Sequence, residues 1–289
     1  MLLRRPAPPL DLCVQYLWAG ERGALPHARE RCLPSGRADM VIPLLQTHLV
    51  RYTDEHDLDG RRLRGGVLQG ARDSCFVRGG TDLPSSVVGV HFRPGGAALL
   101  AGVPMHELAN DSVTLADLWG APAADELHER LLGQPTLAAQ LQGLERWLTQ
   151  RLLNATYPLD VAMLAAAHRF DAQPALARVA AVRVASGLSA QRFITRFRAA
   201  VGLSPKRYCR VRRFQAVLNV AARGGRIDWA QVALDSGYSD QPHLVHEFRR
   251  FAGMAPSTYR PLAPDHQNHV ALAAPEEKST RQAERLAAS

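Results

Sequence analysis

The chain contains one pattern twice. VAAVRVASGLSAQRFITRFRAAVGLSPKRY spans 179–208, and WAQVALDSGYSDQPHLVHEFRRFAGMAPSTY spans 229–259. Phe193, Phe197, Gly202, Pro205 and Tyr208 fall 51 positions before Leu244, Phe248, Gly253, Pro256 and Tyr259. Upstream, Val182 and Gly187 fall 50 before Val232 and Gly237, so the second copy has one extra residue in its turn. Two copies that keep the same residue types in the same order must bury the same faces, so both are expected to fold alike.

Each copy has the parts of a helix-turn-helix. A short helix, Val179–Ala185 or Trp229–Asp235, ends near a glycine suited to the left-handed conformation. A capping residue follows, Ser189 in one copy and Ser239 or Asp240 in the other. Pro242 fits the first turn of the next helix, where a missing N–H costs nothing. The i,i+4 pairs Phe193/Phe197 and Leu244/Phe248 turn that helix toward a core. At 100° per residue, the opposite face holds Gln191, Arg192, Thr195 and Arg198 in the first copy. In the second it holds Pro242, His243, His246, Arg249 and Arg250. A helix about 10–12 Å across fits the roughly 12 Å major groove of B-DNA. Gln and Arg carry the donors and acceptors that read adenine and guanine edges there.

Between the copies, Ser204 to Ala222 is expected to form one helix, with Ser204 as cap and Pro205 at the first helical position. Val211, Phe214, Val217 and Leu218 form its apolar face; Arg207, Arg210, Arg212 and Arg213 crowd its first half. A strut of about 17 residues, roughly 25 Å long, can set two recognition helices into successive grooves. Its arginines, with Arg198, Arg249 and Arg250, suit phosphate contacts, which give affinity without sequence.

The charge distribution agrees. Residues 1–157 carry 16 basic and 17 acidic side chains, whereas 158–262 carry 16 basic and only 6 acidic. A near-neutral half joined to a strongly basic one indicates that only the second meets a polyanion. Hydrophobic residues at 46% and charged residues at 21% are ordinary for a globular chain. No apolar run is long enough for a membrane span, and MLLRRPAPP has no signal-peptide core, so a cytoplasmic location is expected. The cysteines, Cys13, Cys32, Cys75 and Cys209, form no CxxC pair and imply reduced thiols.

Residues 10–96 read as β. Apolar runs at 12–18, 39–45, 47–53, 66–71, 74–80 and 86–92 are separated by Gly, Pro and Asp, as in a sandwich or barrel. Residues 136–152 place Leu137, Leu141, Leu144, Leu148 and Leu152 on one helical face with Trp147, either packing on its own domain or forming a dimer seam. The expected fold class is α+β in two domains. A β-rich sensor or regulatory domain with a helical C-terminal part covers 1–157. An all-α domain of two helix-turn-helix units joined by a long helix covers 158–262. A disordered tail covers 263–289, a stretch with no sustained hydrophobic face.

Residues 158–262 resemble the DNA-binding domain of the AraC/XylS family of bacterial transcription regulators, most closely at GYSDQPHLVHEFRRFAGMAPSTYR (237–260) and through GLSAQRF and VGLSPKRY in the first copy. The first half resembles, at LPSGRADMVI (33–42) and GVHFRPGGAALLAGVPMHEL (89–108), the sensor domain of one AraC subgroup. The resemblance implies a transcription factor whose partner is promoter DNA, with base reading at Gln191, Arg192, Thr195, Pro242, His243 and His246. It implies an effector at the N-terminal domain and leaves contact with RNA polymerase open, with the chain a monomer or a homodimer. Two departures stand out: Arg183 replaces the small residue that Ala233 provides in the second copy, and Thr195 stands where the family often has Arg.

Two other readings compete. The β domain serves only dimerisation or protein contacts, with no effector. Alternatively it is a metal-binding or enzymatic barrel, for which His27, Cys32, His48, His56 and His91 are the available ligands. No HxH or HxxxH pair and no nucleophile, paired-carboxylate or phosphate-loop signature supports that, so no catalytic residue, metal or cofactor is expected.

Overall fold

A computed structural model describes residues 1–273. Strands β1 (Leu2–Arg4), β2 (Val14–Arg22), β3 (Arg29–Cys32), β4 (Asp39–Pro43), β5 (His48–Tyr52), β6 (Arg61–Arg64), β7 (Val67–Gln69), β8 (Phe76–Gly79) and β9 (Ser85–Phe92) come first. Helix α1 (Ala97–Ala101), strand β10 (Ser112–Thr114) and helices α2 (Leu115–Trp119), α3 (Ala121–Leu132) and α4 (Leu137–Leu153) complete the first half. The second half holds α5 (Val161–Ala172), α6 (Val179–Ala185), α7 (Ala190–Val201), α8 (Pro205–Ala221), α9 (Trp229–Asp235) and α10 (Gln241–Ala252), then a last strand, β11 (His269–Leu272).

The strands form two open antiparallel sheets, ordered β1-β2-β9-β4-β7-β10 and β11-β3-β8-β5-β6, a sandwich and not a closed barrel. One core lies between the six-stranded sheet and its helices, where Leu17, Ala19, Met40, Ile42, Val88, Val90 and Phe92 meet Leu141, Leu144 and Leu148. The leucine face of α4 is therefore covered by its own domain, which settles the choice left open between packing and a dimer seam. Charged segments went unrecognised as strands: β3 (RERC) and β6 (RRLR) have no apolar alternation, and β6 is a sheet edge. Arginine on an edge strand discourages pairing with another chain.

The second core belongs to the helical half. Phe170, Phe193, Phe197, Tyr208, Phe214 and Phe248 are each at most 1% exposed. Residues of the first half enter this core too: Leu33 and Ala71 pack into it. Gly36, at φ +74°, lets the ProSerGly turn lie against α8, where an added Cβ would stand 3.2 Å from Val211. Asp171, in the last turn of α5, ties the halves together. Its carboxylate accepts from Tyr208 (2.6 Å) and from Arg37 (2.6 Å), and lies 2.8 Å from the Arg212 guanidinium.

The segment from 263 is not all disordered. Val270 is buried, and β11 pairs antiparallel with β3, adding an edge to the five-stranded sheet. Gln267 accepts from the Tyr259 hydroxyl, and Gln215 donates to Asn268 and to the Pro34 carbonyl. Backbone pairing to an exposed sheet edge needs no hydrophobic face, which is why apolar patterning missed this strand. Residues 274–289, the remainder of the segment expected to be disordered, lie outside the described residues.

β11 also places His269 beside the fully buried Glu30. His269 Nδ1 is 3.3 Å from that carboxylate, which His27 and Arg78 also contact. Burial raises the Glu30 pKa, but the His269 hydrogen bond, the Arg78 charge and the His27 hydrogen bond outweigh it and hold it well below 4.5. Burial, then the Arg78 charge, hold His269 below its ordinary 6.5. Both groups bind more protons unfolded than folded, so both make stability fall on acidification. Stability should drop as pH falls below 6.5, as His269 is forced to charge, and again below 4.5, as Glu30 protonates. Urea denaturation from neutral pH to pH 4 checks this: His269→Asn should lack the first drop, and a first drop of wild-type size in that variant would assign it elsewhere.

Candidate nucleic-acid interface

The two repeats fold as two helix-turn-helix units, α6–α7 and α9–α10, with α8 between them. Gly187 and Gly237 follow the first helices at φ +68° and +77°, the left-handed geometry that the turn requires. Ser189 caps α7 by accepting from the Arg192 N–H, and Asp240 caps α10 by accepting from the His243 N–H. Ser204 caps α8 through the Arg207 N–H. Phe193, Phe197, Leu244 and Phe248 are at most 1% exposed, so the inward faces are those expected.

Where Ala233 is fully buried at the helix crossing of the second unit, the first has Arg183. It is half-buried and bends out of the crossing to donate to the Leu188 carbonyl at 3.0 Å. The charged head closes the turn on that carbonyl, so the departure is accommodated without burying a bare charge.

Gln191, Arg192, Thr195 and Arg198 are all exposed on α7, as are Pro242, His243, His246, Arg249 and Arg250 on α10. They form two polar faces. The His243 ring is engaged locally, edge-on to Tyr238 at 5.3 Å and with Nδ1 3.0 Å from the Ser239 hydroxyl. The C-terminal end of α7 packs against the first half: Ala200 and Val201 are buried, and Gly202 lies against the Met105 carbonyl and Ala71. The first turns of α7 stay open, the part of a recognition helix that reaches base edges.

The arginines of α8 are placed differently from the expectation. Arg207 is exposed, 3.4 Å from Asp73 of the first half. Arg210 is clamped by both oxygens of Glu247. Arg212 donates to the Ser35 carbonyl and lies against Asp171, and Arg213 donates to the Gly237 carbonyl over the Tyr238 ring. Arg210, Arg212 and Arg213 thus fasten α8 to its neighbours, partners that their density in the sequence, read as a phosphate role, did not show. Arg198, Arg207, Arg249 and Arg250 remain on the surface. Sequence reasoning missed Asp171 and Glu247, the partners that spend these charges. Glu247 is the sole acid in α10 and lies among its buried residues, the one signal that could have found it.

The candidate metal ligands scatter. His91 pairs with Asp39 and stacks on Tyr16 at 4.8 Å, while His27 sits on Glu30. Among the described residues no group of three or more His, Cys, Asp or Glu could hold a metal ion. No helix among them is long and apolar enough to cross a membrane.

Residues 184–261 match the family model of a helix-turn-helix domain, and residues 4–114 match that of a domain of unknown function, DUF6597. No curated protein matches. Among solved structures, the chain is similar to ToxT from Vibrio cholerae, at 12% identity and TM-score 0.46, over 84% of this chain and 97% of that one. A form of wild-type ToxT described as bound to unsaturated fatty acid is similar at 10% identity and TM-score 0.46, over 84% and 94%. The xylose-binding transcription activator XylR is similar at 16% identity and TM-score 0.31, over 41% and 38%. The family match over 184–261, the two units and the helix that joins them make the C-terminal half of this chain a helix-turn-helix domain.

Proposed function

We propose that the chain is a transcription regulator that binds duplex DNA sequence-specifically through α7 and α10, under the control of a small-molecule effector held by its first half. The observation that carries this reading is the pair of exposed polar faces, each on the second helix of a unit whose other face is buried. Burial alone explains Phe193, Phe197, Leu244 and Phe248; among the described residues no hydrogen bond, ion pair or ring contact uses the side chain of Gln191 or His246. The reading makes the chain a cytoplasmic binding protein that performs no covalent chemistry.

Selection of binding sites from a random duplex pool tests it. The wild-type chain should enrich one motif. Gln191→Ala and His246→Ala should each relax the motif at particular positions, by about 1–3 kcal/mol where a bidentate base contact is lost. Arg249→Ala should weaken all sequences alike and flatten the salt dependence by about one phosphate's worth. If Arg249→Ala rewrote the motif while Gln191→Ala and His246→Ala left it intact, the division of labour would be wrong. A pool with no enrichment would remove the proposal.

A further inference from the structure

A cavity of about 410 Å³ lies between α1, α3, α4 and the linker that follows α4. That volume suits a small organic molecule. Its walls include Trp147, Gln150 and Arg151 of α4, Arg130 of α3, and Asn154 to Thr156 of the linker.

Arg151 is the group that calls for a ligand. Its guanidinium lies over the Trp119 ring at 4.3 Å and over Trp147 at 5.6 Å. Nε points to the Leu100 carbonyl at 3.5 Å, a long contact, and that carbonyl already accepts from Trp119 at 2.9 Å. Among the described residues no carboxylate meets the Arg151 guanidinium. Burial alone holds its pKa below the ordinary value, with no neighbouring charge contributing. A half-buried arginine with no carboxylate partner has its donor fork free to take an anion bidentately. Glu126 does not supply one, because it is paired with Arg130 at 2.6 Å. The lining therefore carries one unmatched positive charge beside a flat indole face.

We propose that this cavity binds a planar organic carboxylate, with the carboxylate on the Arg151 guanidinium and the ring against Trp147. This deepens the effector-controlled reading and rests on that reading for its regulatory consequence only. The consequence follows from the walls. The linker to the DNA-binding half lines the cavity, and α1, which lines it through Leu99 and Leu100, packs on α7. A ligand that orders α1 and the linker acts on one of the surfaces that α7 packs against and on the chain that leads into the helical half.

The test uses the full chain, with benzoate as probe, benzamide as its neutral counterpart and tryptophan fluorescence as readout. Benzoate should saturate the signal and benzamide should bind roughly ten- to hundredfold more weakly. Arg151→Gln should lose a similar factor. Because that arginine packs on two indoles, Ala123→Phe, which fills the cavity and leaves the guanidinium in place, should also abolish binding while keeping the unfolding midpoint. No saturation up to about 10 mM, equal binding of benzoate and benzamide, or wild-type binding by folded Arg151→Gln would each overturn the site. DNA affinity is measured separately with and without benzoate. Benzoate binding that leaves DNA affinity unchanged would support the site and overturn its control of DNA binding.

Discussion

Raising the salt from about 50 to 200 mM should weaken specific DNA binding by the full chain roughly a thousandfold, because each phosphate neutralised releases condensed counterions. About five phosphate contacts give a log–log slope of roughly −5. The helical half is basic enough for a steeper slope, but Arg210, Arg212 and Arg213 are committed to Glu247, Asp171 and backbone carbonyls. The exposed cations Arg198, Lys206, Arg207, Arg249 and Arg250 set the expected value. Fluorescence anisotropy on the selected motif at several salt concentrations measures it. A slope shallower than about −2 would contradict a phosphate-clamping surface. Arg210→Ala should leave the slope unchanged and lower stability instead, by stranding Glu247.

Phe197→Ala should cost about 3–5 kcal/mol of unfolding free energy, the range for emptying a buried phenylalanine site. Its ring meets Phe193 at 6.0 Å, Phe170 at 5.7 Å and Tyr208 at 5.7 Å. The cavity therefore opens where α5, α7 and α8 converge, and backbone carrying three helices cannot collapse to fill it. Val184→Ala, on the exposed side of α6 at 65% exposure, should change stability by less than about 0.5 kcal/mol. Chemical denaturation of both variants checks the contrast. Equal losses would mean that the aromatic cluster does not hold the helices.

The helical half was legible because its signals are local and written twice. Glycine turns, capping Ser and Asp, and i,i+4 aromatic pairs each act within a few residues. The β half was legible only where strands alternate or run apolar, as in β4 and β9. β3 and β11 escaped because their pairing partners lie far away in sequence, and the groups that meet there, Glu30 with Arg78 and His269, come together only in the folded chain. The same distance hid the partners of the α8 arginines. Their density was visible; that Arg37 and Asp171 would meet across 134 positions was not. The exposed faces of α7 and α10 were readable from helical periodicity alone. Arg151 was not, since a single arginine near two tryptophans becomes a site only when α3, α4 and the linker enclose a space.

The return of β11 to β3 has a mechanical outcome. The helical half leaves the sandwich through the linker after α4 and comes back to it at the sheet edge, so the chain closes a loop around the contacts that Asp171, Leu33 and Ala71 make between the halves. Parting the halves requires those contacts and the β11–β3 pairing to yield together, as a clasp opens only when hinge and catch both give.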